Sequence, residues 1–124
     1  MKLNHECIRD LLLYLEDNLL FTSHLCANDL EIFPYESVDI IYAAARLSEA
    51  KYLETTQMSY SHDTIPIIHI HSLTWDGHKL LDNIRDENVW SNTKSMVTQF
   101  SSVSIGIIDN VSNKIITKMI NEHI

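Results

Sequence analysis

Four of the seven histidines, His62, His69, His71 and His78, fall within seventeen positions. His69 and His71 are two apart in an apolar run, so on a strand both imidazoles face the same side. Two imidazoles on one face are the beginning of a metal site, and His78 from the following segment is a candidate third ligand. No carboxylate or thiol completes a standard metal spacing. The expectation is therefore histidines of a surface hairpin, with no bound metal or cofactor; His69, His71 and His78 stand as the metal alternative. Asp82, Asp86 and Glu87 invite a paired-carboxylate reading, but Arg85 sits among them. A solvated helix face with local ion pairs accounts for that pattern better. Gly-rich phosphate loops, nucleophile elbows and His-Glu-x-x-His motifs are absent, so catalysis is not expected. Cys7 and Cys26, the two cysteines, make neither a zinc framework nor a disulfide scaffold and are expected as reduced thiols.

These side chains must be positioned by a small set of elements. Ile8, Leu11, Leu12, Leu15 and Leu19 recur at three- and four-residue steps, predicting a helix from about His5 to Leu20 capped by Asn4. Phe21 to Pro34 is a connection, with Leu30 to Phe33 as a short strand stopped by Pro34. A second helix is predicted over 36–52, burying Ile40, Ile41, Ala44, Leu47 and Ala50. Leu53 to Ser59 and Ile65 to Leu73 then form a hairpin across the turn Ser61-His62-Asp63-Thr64.

A third helix starts at Trp75. Thr74 suits its N-cap, and Asp76 places negative charge at the positive helix end. Gly77 costs helix stability, which implies close approach of another element, most simply a helix. Trp75 is expected to cover the hairpin strands rather than to anchor a partner. Glu87 to Gln99 and Ile105 to Glu122 are predicted as further helices. The last carries an apolar stripe through Ile108, Val111, Ile115 and Met119, which either closes the core or joins a second subunit.

The order helix, short strand, helix, strand, turn, strand, helix is that of a winged-helix-like α+β domain with a small antiparallel wing sheet. Residues 1–90 are assigned to that domain and 91–124 to a helical C-terminal extension, packed on the core or forming a dimer contact. Helix 36–52 occupies the recognition-helix position. The partner- or DNA-facing candidates are Asp39, Ala43, Arg46 and Lys51 from it, with His62 and Asp63 from the turn; Thr74, Trp75 and Gly77 are structural.

Three segments carry a family resemblance: Met1 to Asn4 with Cys7 to Glu16, then Tyr35 to Leu53, then Leu73-Thr74-Trp75-Asp76-Gly77-His78 ahead of Leu81-Asp82-Asn83-Ile84-Arg85-Asp86. Across most of the chain they resemble the domain of unknown function family 2513, small proteins often found in phages and prophages. The resemblance implies a winged-helix-like fold and a mobile-element origin, and it transfers no catalytic residue. The chain departs from the family pattern at Ala43, where a His is expected, and at Lys51, where a Gly is expected.

The chain has 124 residues and a net charge of −8, which suits one acidic globular domain. It carries no apolar run of membrane-spanning length and no signal-peptide pattern, so a cytoplasmic setting is expected. Residues 1–90 hold fifteen acids against six bases, and 52–73 contain no Lys or Arg. A DNA-binding wing ordinarily supplies cations to phosphates. The balance favours a protein partner, regulatory or inhibiting a host defence complex, over DNA read by helix 36–52.

Overall fold

The computed structural model describes residues 1–123; Ile124, the last residue of the expected 91–124 extension, lies outside the described residues. The element order is α1 (His5–Asn18), β1 (Leu25–Cys26), a 3-10 turn (Ala27–Asp29), α2 (Ser37–Glu49), β2 (Leu53–Met58), β3 (Ile67–Leu73), α3 (Trp75–Ile84), α4 (Glu87–Val97) and α5 (Ile105–Glu122). The class is α+β, with one antiparallel sheet of order β1-β3-β2. The chain divides into two compact units, Met1–His78 and Lys79–Ile124. Among the described residues no helix is long and apolar enough to cross a membrane.

In the first unit, α1 is started by Asn4, whose side-chain oxygen accepts from the Cys7 N–H at 3.1 Å. Its three- and four-residue stripe, Ile8, Leu11, Leu12 and Leu15, is fully buried. The inward stripe of α2 is Ile40, Ala43, Ala44 and Leu47, and Ile68 and Ile70 of β3 complete this core. Burying side chains of this kind contributes about 1.5–3 kcal/mol each. Tyr35 ties the preceding connection to α1 by donating to Asp10 Oδ2 at 2.6 Å; burial, then that bond, push its phenol well above the ordinary tyrosine range.

The expected strand at Leu30 to Phe33 is not formed. Its backbone bonds go to local turns: Leu30 N–H donates to Ala27 and Tyr35 N–H to the Ile32 carbonyl. The extra strand lies earlier, at Leu25–Cys26, paired with His69 and Ile70. Beyond it the Asn28 side chain continues the ladder. Its Oδ1 accepts from Ile68 N–H at 3.0 Å and its Nδ2 donates to the Pro66 carbonyl at 3.0 Å.

Helix α2 ends at Glu49, three residues short of the expected end, and Ala50 is exposed rather than buried. The stop is a Schellman turn. Tyr52 N–H donates to Leu47 and Lys51 N–H to Ser48, while Lys51 takes the left-handed conformation at φ 70°. Lys51 is where the resemblance leads to an expectation of Gly, and this backbone is what Gly ordinarily provides.

The next junction is built on the same carbonyls. Thr74 N–H donates to the Tyr52 carbonyl at 3.0 Å and its hydroxyl to the Lys51 carbonyl at 2.6 Å. That hydroxyl also caps α3, accepting from Gly77 N–H at 3.1 Å. A Cβ at Gly77 would stand 2.1 Å from the Tyr52 oxygen. The element that Gly77 admits is therefore the Tyr52 peptide, not a neighbouring helix. Trp75 also departs from expectation: it is 80% exposed and covers no strand. Gly77, Leu80, Leu81 and Ile84 form the buried stripe of α3, and Trp75 lies roughly 200° around the helix from Gly77.

In the second unit, Asp86 caps α4 by accepting from Val89 N–H at 3.0 Å, and Ser104 caps α5 by accepting from Ile107 N–H. The α4–α5 pair encloses a hydroxyl–hydroxyl bond of 2.8 Å between Thr93 and Ser112, both fully buried. Of the apolar stripe predicted for α5, Ile108 is buried but Met119 is exposed, as is Ile120 next to it.

Candidate functional site

Helix α2 is apolar on more than its inward face. Val38, Ile41 and Ala45, with Tyr42 and Arg46 beside them, recur at three- and four-residue steps and form a second stripe. This stripe and the β2–β3 turn bound a groove of about 320 Å³. Ile41, Ala45, Ile65 and Pro66 supply apolar walls, and Arg46, His62 and Asp63 supply polar groups. Ile65 at the mouth is 58% exposed, and Met58 and Tyr60 are exposed nearby in sequence.

The electrostatics of the groove are close to balanced. Arg46 is paired with Glu49 at 3.2 Å, and its guanidinium lies 5.3 Å from the centre of the Tyr42 ring. Counting Arg46 against Glu49 and Asp63, the rim carries a formal charge of minus one with His62 neutral. No other cation lines the groove apart from the Met1 amino terminus, among the described residues. Such a surface has little with which to neutralise phosphates.

The structure thus brings Arg46 to His62 and Asp63, which lie sixteen and seventeen residues away in sequence. It does not bring the other candidates to them. Ala43 is 1% exposed and belongs to the core, so it offers nothing to a partner. Asp39 is half-buried and holds the start of α2, accepting from Glu36 N–H at 3.4 Å. Lys51 is exposed, but its backbone forms the turn after α2. The second apolar stripe of α2 was present in the sequence, masked by the stronger inward stripe.

The histidines fall into two places. His69 and His71 share a face of β3, as their alternation predicts, but the ring that joins them is His24. Its centroid lies 5.1 Å from that of His69 and 5.6 Å from that of His71. His24 is brought there by the two-residue strand β1, which is too short to leave a periodic signal. His71 also meets the Thr56 hydroxyl through Nε2 at 2.8 Å. His78 is exposed on α3 and shares with His71 a separate small groove of about 140 Å³. Among the described residues no three His, Cys, Asp or Glu side chains are arranged to hold a metal ion.

Comparison with known proteins returns hypothetical and uncharacterized relatives. A family model described as hypothetical protein (DUF2513) matches residues 2–104. A relative from Haemophilus influenzae, an uncharacterized protein, is 32% identical over 121 residues, covering 97% of this chain and 99% of its own. No solved structure matches.

Proposed function

The chain belongs to the DUF2513 family of hypothetical proteins, and from that premise we propose that it is a non-enzymatic binding module that engages a protein partner through the groove between α2 and the β2–β3 turn. In this reading α2 and the hairpin play the parts of recognition helix and wing in a winged-helix-like arrangement. The observation that carries the proposal is the chemistry of the groove. Its walls are apolar, its one arginine is already paired, and residues 52–73 contain no Lys or Arg. A groove of this kind takes apolar side chains from a partner, while balanced rim charges set specificity. The acidic first unit adds attraction toward a basic partner surface, such as a host nucleic-acid-binding protein or defence complex. A mobile-element origin and a cytoplasmic setting accompany the proposal; the first follows from the family resemblance.

A second reading is DNA binding by α2. It is favoured by the exposed positions of Arg46 and Lys51 on the last turn of α2 and just beyond it. Affinity-tagged protein recovered from its host with and without nuclease separates the two. The protein-binding reading expects a nuclease-resistant partner that is lost in Ile65→Glu, with thermal stability unchanged because Ile65 is exposed. Recovery of a discrete DNA sequence, with binding that falls steeply with salt and is abolished by Arg46→Glu, overturns it.

A further inference from the structure

The sheet has two edges, and the chain treats them differently. On one side β1 pairs with His69 and Ile70, and the Asn28 side chain closes the ladder beyond it at Ile68 N–H and the Pro66 carbonyl. On the other side β2 is the last strand. The Asn28 bonds also fix which way β2 faces. In an antiparallel ladder a residue sends its N–H and C=O to one edge, and successive residues alternate. Ile68 turns its N–H toward the β1 side. Gln57, opposite Ile68, therefore turns its own N–H and C=O away from β3, and Thr55, opposite Ile70, does the same. Among the described residues, 53–58 make no backbone bond outside the β2–β3 ladder. Glu54, Thr56, Gln57 and Met58 are exposed. Such an edge is ordinarily guarded by Lys, Pro or a bulge. Residues 52–78 contain no Lys or Arg and 53–65 no Pro, and the one register shift lies between Glu54 and Thr55, leaving Thr55 to Met58 regular.

We propose that β2 of a second copy pairs antiparallel with this edge, joining two three-stranded sheets into one continuous sheet across a twofold axis. The complement of an open strand edge is another strand, whose backbone supplies the bonds. The choice of a second copy rests on charge. Glu54 is the one charged residue of 53–62 with His62 neutral, so the strand offers a basic peptide a single carboxylate to read. It can meet itself without conflict. A twofold interface is isologous, and opposite residues must share a face of the sheet. Thr56 then stands opposite the partner's Thr56, Thr55 opposite the partner's Gln57, and Glu54 opposite the partner's Met58. The Thr55 and Gln57 pairs exchange about four backbone bonds, and facing threonines are a favourable cross-strand pair. The two Glu54 residues lie about 14 Å apart along the strand, beyond the ~8 Å screening length at physiological salt. The net charge of −8 on each chain opposes the approach at longer range, so added salt strengthens the pairing.

The test is sedimentation velocity on the full chain up to roughly 100 µM, a concentration that reveals even weak dimers. A dimer that tightens between about 50 and 500 mM salt is expected. Gln57→Pro removes an outward donor from each copy and spares the β2–β3 ladder, so it raises the dissociation constant about 10-fold or more with far-UV ellipticity retained. Thr56→Lys and Thr56→Glu each set like charges directly opposite one another and are monomeric alone; mixed in equal amounts they form a heterodimer. That pair of variants decides the matter even where Gln57→Pro fails to fold. A monomeric wild type, which leaves the edge to a strand of another protein, overturns the proposal. So does a dimer that survives Gln57→Pro or either Thr56 variant, one that weakens with salt, or a mixture of the Thr56 variants that stays monomeric.

Discussion

Replacing Gly77 with Ala sets two opposed effects against each other. On helix propensity alone, Ala is favoured over Gly by about 1 kcal/mol. The added Cβ, however, would stand 2.1 Å from the Tyr52 carbonyl oxygen and 3.1 Å from its carbon. Relief requires a backbone shift of more than an ångström. The shift breaks or stretches the 3.0 Å bond from Thr74 N–H to that oxygen. Overpacking of this kind costs about 1–3 kcal/mol, and a carbonyl left without its donor costs a further 1–3 kcal/mol or so. The net expectation is a loss of about 1–5 kcal/mol, whose midpoint corresponds to about 10 °C in Tm for a chain of this length. Urea unfolding followed by far-UV ellipticity measures it, with Gly106→Ala as control. Gly106 also lies in a helix, but its Cβ would meet nothing closer than Ser104 Oγ at 3.7 Å. That variant should gain up to about 1 kcal/mol. A Gly77→Ala protein as stable as the wild type refutes the close-approach argument.

Lys51→Gly should stabilise the protein by about 0.5–1 kcal/mol, since relief of the left-handed lysine exceeds the added freedom of the unfolded chain; a loss in the same urea assay counts against it. Ser112→Ala should cost about 1–2 kcal/mol by leaving the Thr93 hydroxyl buried and unpaired, while adding Thr93→Val should recover much of that cost; additive losses in this double-mutant cycle would contradict the pairing. Burial, then the charges of Asp39 and Asp10, push the Cys7 thiol from 9.0 to about 11. Between those pH values the unfolded chain releases the thiol proton and the folded chain keeps it, so this contribution to stability is intact below pH 9 and is lost as pH rises toward 11. Cys7→Ala should flatten that decline in a pH series of unfolding midpoints, and an unchanged slope would show that the decline has another origin.

The long helices were legible because caps and periodic stripes agree. Asn4 and the leucines of α1 announce the same element, and the predicted last helix has the observed bounds, Ile105 to Glu122. What escaped the sequence was held by contacts without periodicity. Strand β1 is two residues long, and the Asn28 amide extends the sheet beyond it. The backbone at Leu30 to Phe33 satisfies itself in turns despite its strand-like alternation. Trp75 invited a core reading by its size, but size does not decide which side of a helix a residue occupies. Of the candidate site, Arg46, His62 and Asp63 were legible from their places on a helix and its facing turn. Ala43 was not, because a one-residue step on α2 turns a side chain from the groove into the core. His24 left no trace until a strand pairing put it beside His69 and His71.

The carbonyls of Lys51 and Tyr52 and the backbone and hydroxyl of Thr74 close a ring, and the whole β2–β3 hairpin hangs from it. The chain leaves the helical core and returns to it through the same few atoms. Residues 60–64, at the far end, are exposed and bonded mainly among themselves. Lengthening or recoding that tip adds only a slowly growing loop-closure entropy and displaces neither α2 nor α3. The clasp therefore uncouples variation from stability: the scaffold can be inherited unchanged while the tip that walls the groove diversifies from one lineage to the next.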